Sequence, residues 1–290
     1  MAATNSRLDE AIRRLSRKDA TLTTLDLYGN QVGDEGAGRL AEALASNSTL
    51  TTLDLRGNKV GAAGAGRLAE ALATNSTLTS LNVRWNGVGA AGAGRLAEAL
   101  TTNFTLTTLN LGRNKMGAAG AGSLAEALGI NSSLTTLNLF ENQVGPAGAG
   151  RLAEALTTNS SLITLNLRKN KMGDEGAGRL ADALKINSTL TDLQLGSNQV
   201  GDDGAGRLVD ALATNPSLTT AYLRCDPDTR RLVDAHLDRN KNNLEKKSAS
   251  LFVMLLPSLS LDDNELFVQA TLSLDIAVED QVSPSKWQRT

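Results

Sequence analysis

With 290 residues, 41% of them hydrophobic, and a net charge of −2, the chain can build a continuous core and carries no global charge that would favour nucleic acid or a membrane surface. Aromatics make up only 3%, so that core must be Leu, Ala and Val; the longest apolar run, 251–256, falls far short of the roughly 18 residues of a membrane span. Cys225 is the single cysteine, which rules out an intrachain disulfide.

The chain opens without a basic stretch followed by an apolar one, so no secretory signal is expected and the location implied is cytoplasmic. Residues 6–17 read as a helix with Leu8, Ile12 and Leu15 on one face. No strand precedes it, and 1–21 is therefore expected to cap the segment that follows.

From Leu22 the chain repeats every 28 residues: Leu22-Thr-Thr-Leu25-Asp-Leu27-Tyr-Gly-Asn30-Gln-Val32 returns from Leu50, Leu78, Leu106, Leu134, Leu162 and Leu190, and an eighth copy begins at Leu218. Fixed self-similarity of this length means a solenoid whose units are stable only against their neighbours. Leu25 and Leu27 alternate with Thr24, Asp26 and Tyr28, the pattern of a short strand with Leu inward. Asn30 follows at a fixed offset, where an inward amide can bond the turn backbone and link adjacent units. Gly33 permits a sharp turn; Leu40 and Leu44, with Ala37, Ala41 and Ala43, then predict a helix of about three turns. Arg39 and Glu42, at i,i+3 on its outer face, are expected to form an exposed ion pair worth about 0.3 kcal/mol. Gly36 and Gly38 recur in every copy despite costing roughly 0.5–1 kcal/mol each in a helix, which predicts close backbone approach at both. Strands pack about 4.8 Å apart and helices about 8–10 Å apart, so the stack should curve gently with the sheet inside.

Asn47, Asn75, Asn103, Asn131, Asn159 and Asn187 each sit in Asn-x-Ser/Thr, the glycosylation acceptor pattern, whereas Asn215 is followed by Pro216. All fall at the end of the repeat's helix, where Asn tolerates the left-handed conformation and satisfies loose carbonyls. The sequons read as a by-product of repetition.

The frame Leu-x-x-Leu-x-Leu-x-x-Asn-x-Val/Met, its 28-residue length and the segment Gly-Ala-Gly-Arg-Leu-Ala-Glu-Ala-Leu resemble the leucine-rich repeat, in its ribonuclease-inhibitor-like class. That class is also found in NOD-like receptors and in the Ran GTPase-activating protein. The resemblance covers 22–225. It implies an α/β fold, a right-handed solenoid with a curved parallel sheet on the concave face and helices on the convex face. For function it is an analogy, since the class serves many partners.

After the array, 226–247 reads as a C-terminal capping helix with Leu232, Val233, His236 and Leu237 buried. Residues 248–290 leave the repeat: Leu266, Val268, Ala270, Leu272, Leu274, Ile276 and Val278 alternate as in one or two strands, and 282–290 is expected to be disordered.

No chemistry stands out. Gly33-Asp-Glu-Gly-Ala-Gly38-Arg39-Leu40 approaches a phosphate loop but lacks its Lys and hydroxyl, and it recurs in nearly every repeat. His236, the only histidine, and Cys225 cannot by themselves make a zinc site, which needs about four ligands. Glu42, Glu70, Glu98, Glu126, Glu154, Asp182 and Asp210 are spaced by the repeat on the convex face and read as a solvated surface. No nucleophile has an evident general base. The chain reads as non-enzymatic, with no cofactor, metal or small-molecule substrate.

The two positions after the strand's last Leu vary most: Tyr28-Gly29, Arg56-Gly57, Arg84-Trp85, Gly112-Arg113, Phe140-Glu141, Arg168-Lys169, Gly196-Ser197 and Arg224-Cys225. Alternation places the first of each pair outward from the concave face and the second at its edge. Tyr28, Arg56, Arg84, Trp85, Arg113, Phe140, Glu141, Arg168, Lys169 and Arg224 are the candidate partner-binding residues, because Arg, Tyr and Trp dominate interface hot spots. Lys59, Lys115 and Lys171 extend the basic strip, while Asp34-Glu35, Asp174-Glu175 and Asp202-Asp203 on the adjoining turn limit its field. The first expectation is a protein-interaction module whose partner carries an acidic surface. The alternative is a small-GTPase regulator like the Ran activator, although 248–290 lacks that activator's acidic tract. Nucleic-acid binding is disfavoured by the acidic rim.

Overall fold

The computed structural model describes residues 6–222 and 227–255. Arg224 and Cys225, and the strands and disorder expected after 255, lie outside the described residues. Eight three-residue strands, β1 (Thr24–Asp26), β2 (Thr52–Asp54), β3 (Ser80–Asn82), β4 (Thr108–Asn110), β5 (Thr136–Asn138), β6 (Thr164–Asn166), β7 (Asp192–Gln194) and β8 (Thr220–Tyr222), form one open parallel sheet in sequence order. Each strand pairs with the next exactly one repeat on, Leu25 opposite Leu53 and Leu53 opposite Leu81. The helices between them are α2 (Gly33–Ser46), α3 (Gly61–Leu72), α4 (Gly89–Leu100), α5 (Gly117–Leu128), α6 (Gly145–Leu156), α7 (Gly173–Leu184) and α8 (Asp202–Thr214). α1 (Ser6–Ser16) precedes the first strand and α9 (Pro227–Leu255) follows the last. This is the α/β leucine-rich solenoid expected, with a core of Leu from both layers and Ala from the helices.

The two helix glycines have different roles. A Cβ at Gly64 would lie 2.9 Å from Ala37 Cβ, and one at Gly92 would lie 3.0 Å from Ala65 Cβ, so the first glycine is where each helix meets the one before. The second has room in most repeats: at Gly38, Gly66, Gly94 and Gly150 an added Cβ meets nothing nearer than 3.7 Å, and at Gly178 only the flexible end of the Arg207 side chain stands in the way. Close approach therefore explains only one of the pair, and we have no steric account of the other.

Two ladders of buried asparagine run the length of the stack. In the first, Asn86 Oδ1 accepts from the N–H groups of Asn58 at 2.9 Å and Val60 at 3.2 Å, and its Nδ2 donates to the carbonyls of Leu55 at 2.8 Å and Arg84 at 3.1 Å. Asn58, Asn114, Asn142, Asn170 and Asn198 are buried in the same way, while Asn30, with no repeat before it, is only half-buried. The second ladder is made of the sequon asparagines. Asn75 Nδ2 donates to Leu44 O at 2.9 Å and Asn47 O at 3.0 Å, and its Oδ1 accepts from Thr77 N at 3.1 Å and Leu78 N at 2.8 Å. These residues do satisfy helix-end carbonyls, but from extended backbone, as at Asn47 (φ −78°, ψ 138°), and not from the left-handed conformation the sequence suggested. The sequon hydroxyl is structural too: Thr77 Oγ1 donates to Leu50 O at 3.1 Å. No glycan fits on an amide so engaged.

Each end of the stack reproduces what a further repeat would supply. Leu8, Ala11 and Leu15 of α1 are buried, and Leu15 O accepts from Asn47 Nδ2 at 3.0 Å, the bond a preceding helix would take. Arg39 bonds Asp9 of this helix at 2.7 Å instead of pairing with Glu42; the i,i+3 pair forms inside the array, as between Arg95 and Glu98. At the other end Val233, Leu237 and Asn240 line one face of α9, while Leu232, a third of a turn away, is exposed and His236 is half-buried. Asn240 Nδ2 donates to Asn215 O and Leu218 O at 2.9 and 2.8 Å, continuing the second ladder. Arg239 covers the carbonyls of Leu212 and Ala213 at the end of α8. The first compact unit closes at Asn240 and a second begins at Lys241. α9 runs to Leu255, beyond the expected end at 247, because no Gly or Pro interrupts the sequence before Pro257.

Asn114→Ala should lower stability by about 1–3 kcal/mol, since it strands the N–H groups of Asn86 and Val88; Lys115→Ala should melt like the parent. Gly120→Ala should destabilise, because its Cβ would lie 2.7 Å from Met116 Cβ, whereas Gly122→Ala, with nothing within 4 Å, should gain about 0.5–1 kcal/mol. Chemical denaturation of the four variants checks both contrasts.

Candidate protein-interaction face

Every strand presents two outward positions, and the turn after it a third. The first is Thr or Ser in seven strands and Asp192 in β7. The second is Asp, Asn or Gln in seven and Tyr222 in β8. The Asp and Asn residues accept from the backbone two residues on, as Asp54 does from Arg56 N at 2.9 Å and Asn138 from Phe140 N at 2.9 Å, while Gln194 donates to Asp192. That local turn aims the third position, where the variable pairs begin.

The second member of each pair is left-handed throughout: Gly29, Gly57, Trp85, Arg113, Glu141, Lys169 and Ser197 have φ between 55° and 67°. Glycine holds this conformation freely, and a bulky L-residue does so at a cost of about 1–2 kcal/mol. Trp85 is therefore strained as well as exposed, with 62% of its surface in solvent.

The variable positions are packed against each other across repeats. Rings lie on both sides of Gly57, where a Cβ would stand 3.4 Å from both Tyr28 and Trp85. Arg84 crosses the strand at Gly112, Cγ 3.4 Å from where a Cβ would stand, to place its guanidinium 5.6 Å from the Phe140 ring centre two repeats on. Gly196 is bare because the Tyr222 ring fills its place, with Arg168 stacked on that ring at 4.9 Å. Tyr28, Arg56, Arg84, Phe140 and Arg168 thus lie on the sheet face, as alternation predicts.

Charge concentrates at the middle of the face. Arg113 and Lys169 also lie over Phe140, at 5.5 and 5.3 Å, and both bond Glu141, at 3.1 and 3.8 Å. Arg56 stacks on Tyr28 at 5.1 Å and pairs with Asp54 at 2.8 Å. Arg84 alone of these makes no ion pair among the described residues. Burial, then repulsion from Arg113 and Arg56, pulls its pKa below the usual arginine value, and Glu141 only partly offsets this. The acidic pairs are not on the turn beside the strip. They stand in the first turns of α2, α7 and α8, where the helix dipole favours them, and Asp174 Oδ1 accepts from Gly201 and Gly204 of the next repeat.

Two residues of this face escaped the sequence reading, Tyr222 and Asp192. Both were legible as breaks in rows that are otherwise Asp, Asn or Gln and Thr or Ser. Asp192 Oδ1 is buried without a hydrogen-bond partner, as is Arg168 Nε, and burial raises the Asp192 pKa. Away from the face, a groove of about 520 Å³ runs between α6 and α7, lined by Arg151, Glu154, Arg179 and Ile186. Among the described residues no three His, Cys, Asp or Glu are grouped to hold a metal, and no helix is long and apolar enough to cross a membrane.

Asp192 carries a pH prediction. A carboxyl whose pKa is raised by folding disfavours the native state above its folded pKa and is neutral in effect below its unfolded value, 3.8. Asp192→Thr, the residue of the neighbouring strands, should therefore stabilise the protein at pH 7, and the gain should shrink as pH falls towards 3.8. Urea titrations of both proteins at pH 7 and pH 4 check the sign.

The strand–turn–helix unit is matched by the model of a known family. The Leucine Rich repeat model aligns with seven segments, 18–41, 46–69, 74–97, 102–125, 131–153, 158–181 and 187–209, together more than half of the chain. No curated protein matches in sequence. Among solved structures the chain is similar to the leucine-rich repeat-containing protein LegL7 from Legionella pneumophila, with 23% identity over 78% of this chain and 75% of that one and a TM-score of 0.54. It is more distantly similar to the actin-binding site 2 of leiomodin-1 (19% identity, 64% and 94% coverage, TM-score 0.44) and to the tropomodulin C-terminal domain of Caenorhabditis elegans (13%, 84% and 98%, TM-score 0.36). Seven matched repeats, one per strand–helix unit from β1 to α8, place this chain in the leucine-rich repeat family.

Proposed function

We propose that the chain is a non-enzymatic protein-interaction module that takes its partner on the sheet face, along the strip from Tyr28 to Arg168 and Lys169. The observation that carries this is Trp85: the largest side chain of the face stands 62% exposed, at a position where two other repeats have glycine. Exposed aromatics flanked by arginine are the composition of interface hot spots. The cationic middle of the face favours a partner with an acidic surface. A protein partner fits better than nucleic acid, because Glu141 stands inside the strip, bonded to two of its cations. Arg224, two repeats beyond Arg168 in sequence, lies outside the described residues. The GTPase-regulator alternative gains no support from the described residues.

The sequon ladder supports a cytoplasmic location. In a secreted chain the six acceptor asparagines would be exposed to glycosylation before folding, and a glycan there would block the ladder.

Trp85→Gly tests the reading. It should melt no lower than the parent, since it relieves the left-handed strain, yet it should lose the partner. Proteins captured from native lysate by the parent would be compared with those captured by Trp85→Gly and by Glu98→Arg on the helix face. With a captured partner in hand, surface plasmon resonance should show Trp85→Gly mainly speeding dissociation, a loss of about 2 kcal/mol. Capture abolished by Glu98→Arg and untouched by Trp85→Gly would move the site to the helices.

A further inference from the structure

We propose that Arg84, lying over Phe140 across the bare strand at Gly112, is the docking point for an aspartate or glutamate side chain of an acidic segment of the protein partner. The inference rests on the sheet-face reading above and adds which chemistry meets which residue.

The geometry around Arg84 sets it apart from the other cations of the face. Arg56 has Asp54, and Arg113 and Lys169 share Glu141. Among the described residues Arg168, like Arg84, pairs with no carboxylate, but it lies against Tyr222 and its neighbours in the row are Phe140 and Gly196. Arg84 is half-buried, stacked by one face on Phe140, and has no carboxylate, although Arg56 and Arg113 stand on either side of it. A guanidinium so placed has lost part of its hydration and is repelled by its neighbours, which is why its charged form is disfavoured in the free protein. An incoming carboxylate reverses both effects. Arg presents a planar fork of donors that a carboxylate matches with two parallel bonds. Stacking on Phe140 holds that fork before the partner arrives, so little side-chain freedom is lost on binding.

The probe is an acetylated, amidated heptaglutamate peptide. Trp85 and Trp287 are the only tryptophans, so in a Trp287→Phe background indole emission reports on Trp85 alone. The peptide should give a saturable change in that emission in 50 mM NaCl, weaker by at least about threefold in 300 mM NaCl. Arg84→Gln should weaken binding about tenfold or more, the loss of a charge-assisted bond; Arg95→Gln on the helix face should leave it unchanged. Arg84→Lys, which keeps the charge and loses the fork, should fall between, and it serves if Arg84→Gln melts early. The proposal is overturned if heptaglutamate does not bind, if both Arg84 variants bind like the parent, if heptaglutamine binds as well, or if a phosphoserine heptapeptide of otherwise glycine residues binds more tightly. Those results leave the sheet-face reading standing wherever Trp85→Gly still loses the captured partner; retention of that partner by Trp85→Gly would sink the reading beneath as well.

Discussion

The structure depends on a single requirement, that every backbone polar group brought inside by stacking must find a partner. Parallel strands three residues long satisfy only the sheet. The turns at either end of each strand would otherwise bury N–H and C=O groups with nothing to bond, at about 1–3 kcal/mol apiece. Two asparagines per repeat solve this, because an amide both donates and accepts and so ties its own turn to the repeat before it. Asn86 bonds Leu55, Asn58 and Val60 of the preceding repeat and Arg84 of its own, and Asn215 bonds Leu184 of the preceding repeat and Leu218 of its own. Leucine supplies most of the burial, and the ladders fix where one repeat lies on the next. They also explain why the ends look as they do. α1 offers Leu15 O and α9 offers Asn240, each standing in for the missing member of the series.

Most of the fold was legible, because a repeat shows the same local choice many times over. The alternation of Leu25 and Leu27 with polar residues gave strand direction, and the fixed offset of Asn30 gave the first ladder. The second ladder was visible only as a set of sequons at helix ends; its extended backbone could not be read from one residue type that also tolerates left-handed turns. Gly38 looked equivalent to Gly36 since both recur, yet only contact with the preceding helix separates them, and that is a fact of packing. On α9 a contiguous pair, Leu232 and Val233, hid a face that runs through Val233, Leu237 and Asn240.

The face was legible in place and illegible in detail. Variation between repeats located the strip and picked out Tyr28, Trp85 and Phe140. It could not reveal that Gly196 is bare beneath the Tyr222 ring of the next repeat, or that Arg84 crosses Gly112 to reach Phe140, because such coupling crosses the period that makes the repeats comparable. Position-by-position comparison treats each column as independent. The missed residues, Tyr222 and Asp192, sit in columns that are otherwise nearly uniform, where one exception is easily overlooked.

The way α9 closes the array has an evolutionary consequence. Asn240 and Arg239 hydrogen-bond the last repeat through its backbone carbonyls, at positions that every repeat possesses. A terminal helix that recognises generic backbone can seat on an array of any length, so loss or duplication of a 28-residue unit preserves the fold. The face obeys a longer unit. Tyr28, Gly57 and Trp85 span three repeats, as do Arg84, Gly112 and Phe140. Unequal recombination can therefore rewrite the sheet face in one step while leaving a folded protein behind, which makes the architecture robust in shape and labile in surface.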